Sequence, residues 1–122
     1  MPRVPDDMRR MAAMLGEEIA SYPGVTSRPM FGSVGYYRDG VIFAALPKTR
    51  ALYSATSFIF KLNRAPKRVL ERARGDERMT VSTKGMQGWH SFEIASDRDM
   101  AAAQQWLIEA WRWARKRKAS TL

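Results

Sequence analysis

The stretch Arg28–Leu46, RPMFGSVGYYRDGVIFAAL, constrains the fold more than any other part of the chain. It reads as two strands joined by a tight turn, with Met30-Phe31-Gly32 entering the first and Arg38-Asp39-Gly40 at the turn. Asp-Gly between apolar runs is a strong hairpin signal, because Gly takes up the positive φ that a two-residue turn demands. Phe31 and Val34–Tyr36 lead in. On the return, Val41, Phe43 and Ala45 oppose Ile42, Ala44 and Leu46, the two-residue period of a strand with distinct faces. A hairpin this early commits the chain to an antiparallel sheet, and the remaining apolar periodicity must supply what covers it.

That cover is legible on both sides of the hairpin. Met8, Met11, Ala12, Leu15, Ile19 and Tyr22 recur at helical spacing, so a helix is expected from Pro5 to Ser21, favoured at its start by Asp6 and Asp7 and stopped by Pro23-Gly24. After the turn Pro47–Arg50, a strand is expected across Ala51–Leu62, with Phe58, Phe60 and Leu62 on one face and Ile59, Lys61 and Asn63 on the other. Ala65–Arg74 reads as a short helix with Pro66 in its first turn, a Val69, Leu70 and Ala73 stripe, and Gly75 as its stop. Met79–Thr83 and Trp89–Ala95 read as another antiparallel pair around Lys84–Gly88. Ser96 with Asp99 resembles a capping box opening the longest helix, Asp97 to Lys118, whose core stripe is Met100, Ala103, Leu107, Ala110, Trp111 and Ala114, widened by Trp106 and Trp113. The expected fold is a single α+β domain over residues 1–122: two layers, a five-stranded antiparallel sheet with helices, in the order α-β-β-β-α-β-β-α, and a short basic tail from about residue 115.

Composition bounds the function. The chain has no Cys, which removes disulfides, thiolate nucleophiles and Cys-ligated metals together. No stretch reaches the ~20 apolar residues that span a bilayer, and no apolar run follows the N-terminal basic residues, so a cytoplasmic, membrane-free protein is expected. Twenty-one Lys and Arg, fifteen of them Arg, against twelve Asp and Glu give a net charge of +9. Such a balance favours anionic partners, and Arg suits bidentate phosphate contacts.

Catalytic and metal chemistry find little purchase. His90 is the one side chain that titrates near neutrality unperturbed, but Ser91 and Glu93 fall on the opposite face of its strand, so a structural or edge role is expected. Glu93, Asp97 and Asp99 invite a hard-cation reading, yet helix capping explains both Asp residues. Gly32-Ser33-Val34-Gly35 has the spacing of backbone-clamping loops but lies in a strand pattern, where Gly marks a bulge or close approach. No catalytic, cofactor or metal residues are therefore assigned, and a non-enzymatic protein is expected.

Two surfaces remain. Arg64, Lys67, Arg68, Arg72, Arg74 and Arg78 surround the middle helix, and Arg112, Arg115, Lys116, Arg117 and Lys118 end the last, with Trp106, Trp111 and Trp113 upstream. If the two groups share a face they form a phosphate-tracking surface. The same cations also suit a helix C-terminus, and charges of this kind often solvate an exposed face. Tyr36, Tyr37 and Tyr53 offer the alternative of a protein interface, and a sheet with one bare face would bury it by pairing with a second copy.

The element order and several motifs resemble the N-terminal domain of the TfoX/Sxy competence regulators. The residues that carry the resemblance are Met30-Phe31-Gly32, Tyr37-Arg38-Asp39-Gly40, the apolar Val41–Leu46, Gly88-Trp89 through Ile94, and the Ala- and aromatic-rich Met100–Ala114. The resemblance implies a two-layer sheet similar to secretion-chaperone-like and YjbR-like folds, and a regulatory or adaptor role linked, in full-length members with a second helical domain, to switching on DNA-uptake genes. It brings no catalytic residues. Two functions are thus expected in order: a non-enzymatic adaptor that docks a protein partner or a second copy, and a basic nucleic-acid-binding module using the Arg and Lys groups of the middle and last helices.

Overall fold

A computed structural model describes residues 1–62, 64–81 and 88–115. The first helix, α1 (Asp6–Ala20), buries Met8, Met11, Ala12, Leu15 and Ile19 of the expected stripe together with Gly16, while Tyr22 lies beyond the helix end and is half-buried. Six strands follow in one antiparallel sheet: β1 (Val25–Met30), β2 (Ser33–Arg38), β3 (Val41–Pro47), β4 (Ser57–Lys61), β5 (Met79–Val81) and β6 (Trp89–Glu93), in spatial order β1-β2-β3-β4-β6-β5. Helix α2 (Lys67–Arg74) separates β4 from β5, and α3 (Met100–Trp113) closes the chain. The α+β class and the antiparallel sheet stand as expected, with six strands rather than five.

The extra strand lies where the sequence reading placed only a lead-in. Val25–Met30 pairs along its whole length with β2, Val25 opposite Arg38 and Met30 opposite Ser33. Met30 ends β1 and Phe31-Gly32 forms a turn between strands, not the entry to one. Phe31 and Gly32 have φ of 49° and 80°, and Asp39 and Gly40 repeat the pattern at 49° and 85°. Two successive hairpins thus use the same two-residue turn, whose paired positive φ matches strand twist. Gly32 is needed for a second reason: its carbonyl accepts backbone N–H groups from Lys48, Thr49 and Arg50, and a Cβ there would lie 2.7 Å from that of Arg50.

The simple alternation expected in β3 is broken. The register shifts between Tyr36 and Tyr37, which oppose Ala44 and Ile42, so Phe43 is the extra residue of a bulge. Phe43 and Ala44 both join the main core as a result. The expected strand Ala51–Leu62 is shorter too, since only Ser57–Lys61 pairs, while Ala51–Thr56 forms a loop. That loop is held by Glu93, whose carboxylate accepts from the Ser54 and Thr56 hydroxyls.

Register decides which face meets the helices. Phe60 opposes Ala44 on one side and His90 on the other, and Phe58 opposes Phe92. Ala44, Phe58, Phe60 and Phe92 belong to the core with Met8, Leu15, Val69, Ala73, Ala103 and Leu107 from the three helices. The helices therefore lie on one face of the sheet. The capping box forms as expected, with the Ser96 hydroxyl accepting from Arg98 N–H and Asp99 accepting from Ser96 N–H, in a 3-10 turn over Asp97–Asp99 that leads into α3. Gly75 ends α2 in the right-handed region at φ −84°, so no left-handed cap stops that helix.

Candidate functional site

The face away from the helices is built from the residues that alternate with the core set. Gly35, Ala45, Ile59, Ser91 and Thr80 oppose one another in one row across β2, β3, β4, β6 and β5. Ala45 and Ile59 are 3% and 7% exposed yet stand outside the core that the helices share. Four of these five side chains are small, which makes the row a low floor around Ile59, and larger half-buried ones flank it: Met30, Tyr37, Ile42 and Trp89. Gly35 keeps the floor low, because a Cβ there would reach 3.1 Å from the Met30 methyl and 3.4 Å from the Tyr37 ring. Arg28 stands over the Tyr37 ring at 5.6 Å and Lys61 over Trp89 at 5.7 Å, so both aromatic flanks carry a cation.

The three tyrosines predicted as an interface part company. Tyr37 lies on this face. Tyr53 is 55% exposed in the loop before β4. Tyr36 is a correction: at 8% exposed it is core, pointing to the helix side, where its ring rests over Gly16. The side-chain period of a strand makes the separation inevitable, because Tyr36 and Tyr37 are neighbours. Burial pushes the Tyr36 hydroxyl above its ordinary range.

The predicted basic groups are brought together at two places. In the first, the buried Glu109 of α3 accepts Arg112 at 2.5 Å and faces Arg72 of α2 at 3.7 Å, with Arg72 stacked 4.9 Å over Trp106. Arg72 ties α2 to α3 through Glu109, while Arg112 pairs with Glu109 within α3. Arg78 is also structural, pairing with Asp76 at 3.0 Å and Asp99 at 3.4 Å. Lys67 pairs along α2 with Glu71, while Arg68 and Arg74 are exposed on the same helix. In the second place, Arg64 and Arg115 line one cavity with Lys61 and Trp113. Lys116, Arg117 and Lys118 lie outside the described residues.

His90 faces the helix side of the sheet with its ring stacked on Phe60 at 5.7 Å and Nδ1 3.3 Å from the Gly88 carbonyl. Burial lowers its pKa, against the Gly88 hydrogen bond, and Arg74 lowers it further. Ser91 and Glu93 fall on the other face, as the strand period requires. Among the described residues no group of His, Asp or Glu is placed to hold a metal, and no helix is long and apolar enough to cross a membrane.

Sequence reasoning missed Lys61, Trp89, Met30 and Ile42. Their shared position depends on the β4–β6 pairing and the bulge in β3, and neither leaves a local signal. The exposed Phe31, 75% accessible at a turn with positive φ, was legible in principle, since a bulky residue before a turn glycine is unusual. Comparison with family models, with curated proteins and with solved structures gives no match.

Proposed function

We propose that this chain is a cytoplasmic, non-enzymatic regulatory or adaptor domain that works by docking a protein on the helix-free face of its sheet, in the manner its resemblance to the TfoX/Sxy N-terminal domain implies. The observation that carries this reading is the face itself: a floor of Gly35, Ala45, Ile59 and Ser91 between Met30, Tyr37, Ile42 and Trp89. Half-buried aromatics with few rotatable bonds beside a low apolar floor are what anchors of protein interfaces are made of. The sheet edges support docking through the face rather than strand addition. Edge strand β1 carries Arg28 and Pro29, and the opposite edge, β5, is three residues long. The non-catalytic part of the reading rests on where polar groups go. His90 is stacked in the core, Glu93 holds a loop, and Asp76 and Asp99 hold Arg78.

A photo-crosslinking residue at Met30 or Tyr37, in cells that naturally produce the protein, tests the reading. Adducts of one defined protein mass, a second copy included, are expected from both positions and not from the exposed helix position Met14. Equal labelling from Met14, or no protein adduct from the sheet face, defeats it.

A further inference from the structure

The corner where β3 begins, β4 ends and α3 terminates gathers cations that no carboxylate pairs among the described residues. Helix α3 ends at Trp113, and Ala114 follows with φ −76° and ψ 85°, an inverse γ-turn closed by the Arg115 N–H on the Trp113 carbonyl at 3.0 Å. The turn takes Arg115 off the helix axis and onto the cavity shared with Lys61, Arg64 and Trp113, walled by Val41 and Phe43.

Arg115 rests over the Trp113 ring at 5.4 Å and Lys61 over Trp89 at 5.7 Å, but the commoner helix-end role of such cations is taken by another residue. Cations near a helix C-terminus commonly satisfy its terminal carbonyls. Here Arg38 does so, donating to the Trp111 and Arg112 carbonyls at 2.8 and 3.1 Å with its guanidinium 4.2 Å over the Trp111 ring. Arg112 is committed to Glu109. No carboxylate lines the cavity, and among the described residues Lys61, Arg64 and Arg115 make no salt bridge. A second, independent feature is the Trp113 indole, whose N–H is buried with no acceptor among the described residues. Three cations around one cavity that no carboxylate lines favour an anionic ligand.

We propose that the cavity between Lys61, Arg64, Arg115 and Trp113 is a phosphate-binding site for a single-stranded nucleic acid, with Trp89 beside Lys61 as a stacking platform for an adjacent base. A single strand is favoured because the half-buried Trp89 lies within 5.7 Å of the Lys61 ammonium, and alternating cations and aromatic rings are the pattern that tracks unpaired strands. This site shares Trp89, Lys61 and Ile42 with the protein-docking face, but it does not require that a protein dock there.

The test is fluorescence anisotropy with a labelled single strand of roughly 12 nucleotides, titrated with salt upward from about 50 mM. Replacing Lys61, Arg64 and Arg115 together by Gln is expected to weaken binding at least about tenfold and to reduce the log–log salt slope by about 2, from ~0.7 per phosphate contact. Replacing Arg3, Arg9 and Arg98 by Gln removes the same charge elsewhere and is expected to change affinity about threefold at most. Thermal unfolding checks that each variant folds. The proposal is overturned if the wild-type chain fails to bind at low salt, or if the charge-matched control loses as much as the corner variant. Tighter binding of duplex than of single strand, or equal competition by polyglutamate, overturns it as well.

Discussion

At the scale of single residues, the chain accepts local strain where a side chain is presented outward. Phe31 occupies the left-handed region at φ 49° with three quarters of its surface exposed, at the tip of the β1–β2 turn. A bulky residue there costs about 1 kcal/mol against Asn, which prefers the first position of such a turn. Nothing in the core gains from the phenyl ring. The Phe31→Asn variant is therefore expected to be more stable by about 0.5–1 kcal/mol in urea unfolding. An unchanged or lowered midpoint would show that the ring makes a stabilising contact after all. Gly16 presents the opposite case, a residue chosen for absence. A Cβ there would meet the Tyr36 hydroxyl oxygen at 2.3 Å, so the glycine, costly inside a helix, is what lets α1 lie against the sheet. No helix-spacing argument exposes such a position, because its reason sits on another element.

At the scale of elements, the parts determined by local chemistry were readable and those determined by pairing were not. The α1 stripe, the Asp39-Gly40 turn and the Ser96–Asp99 capping box each follow from residues within one turn of each other, and each forms as expected. Strand β1 escaped because Thr26, Ser27, Arg28 and Pro29 are all exposed, leaving no apolar alternation to detect. Only the partner strand defines it. The stop of α2 gives the clearest element-level prediction. Gly75 adopts φ −84°, which any residue tolerates, and a Cβ there would touch only the Arg72 and Glu71 carbonyls at 3.6 and 3.9 Å. Replacing it by Ala lowers the entropy of the unfolded chain without strain, so Gly75→Ala is expected to stabilise the protein by about 0.4–1 kcal/mol. A loss measured by the same denaturant titration would mean that the left-handed conformation is used at this position.

At the scale of the whole molecule, the proposed functional surfaces could not be read from the sequence because they belong to no contiguous segment. The basic runs were visible, but Glu109 and Arg78's two carboxylates absorb Arg72, Arg112 and Arg78 into the fold, and the residues left over were sorted only by the tertiary structure. The same network sets how the molecule answers acid. Burial pushes the Asp76 and Asp99 carboxyls up. Donors outweigh it, from Arg78 and Trp106 on Asp76 and from the Ala95 and Ser96 amides with Arg78 on Asp99, and both end below the ordinary carboxylate range. A carboxyl depressed in the fold contributes stability that is present above its unfolded pKa, near 4, and lost as pH falls through the lower folded value. His90 acts in another window. Its pKa is lowered by burial, so the unfolded chain binds the proton first, and stability falls as pH drops below the unfolded value near 6.5 and levels off beneath the folded one. Stability from urea titrations is therefore expected to decline in two steps, one below about pH 6.5 and one below about pH 4. His90→Phe should flatten the first step alone. Arg78→Met should cost about 1–2 kcal/mol at neutral pH, a modest figure because Arg78 is 38% exposed, and little once both carboxyls are protonated. If the first step persists without His90, or the Arg78→Met loss is undiminished in acid, the proton linkage lies with other groups, and the network joining α2, β5 and α3 is held by packing rather than charge.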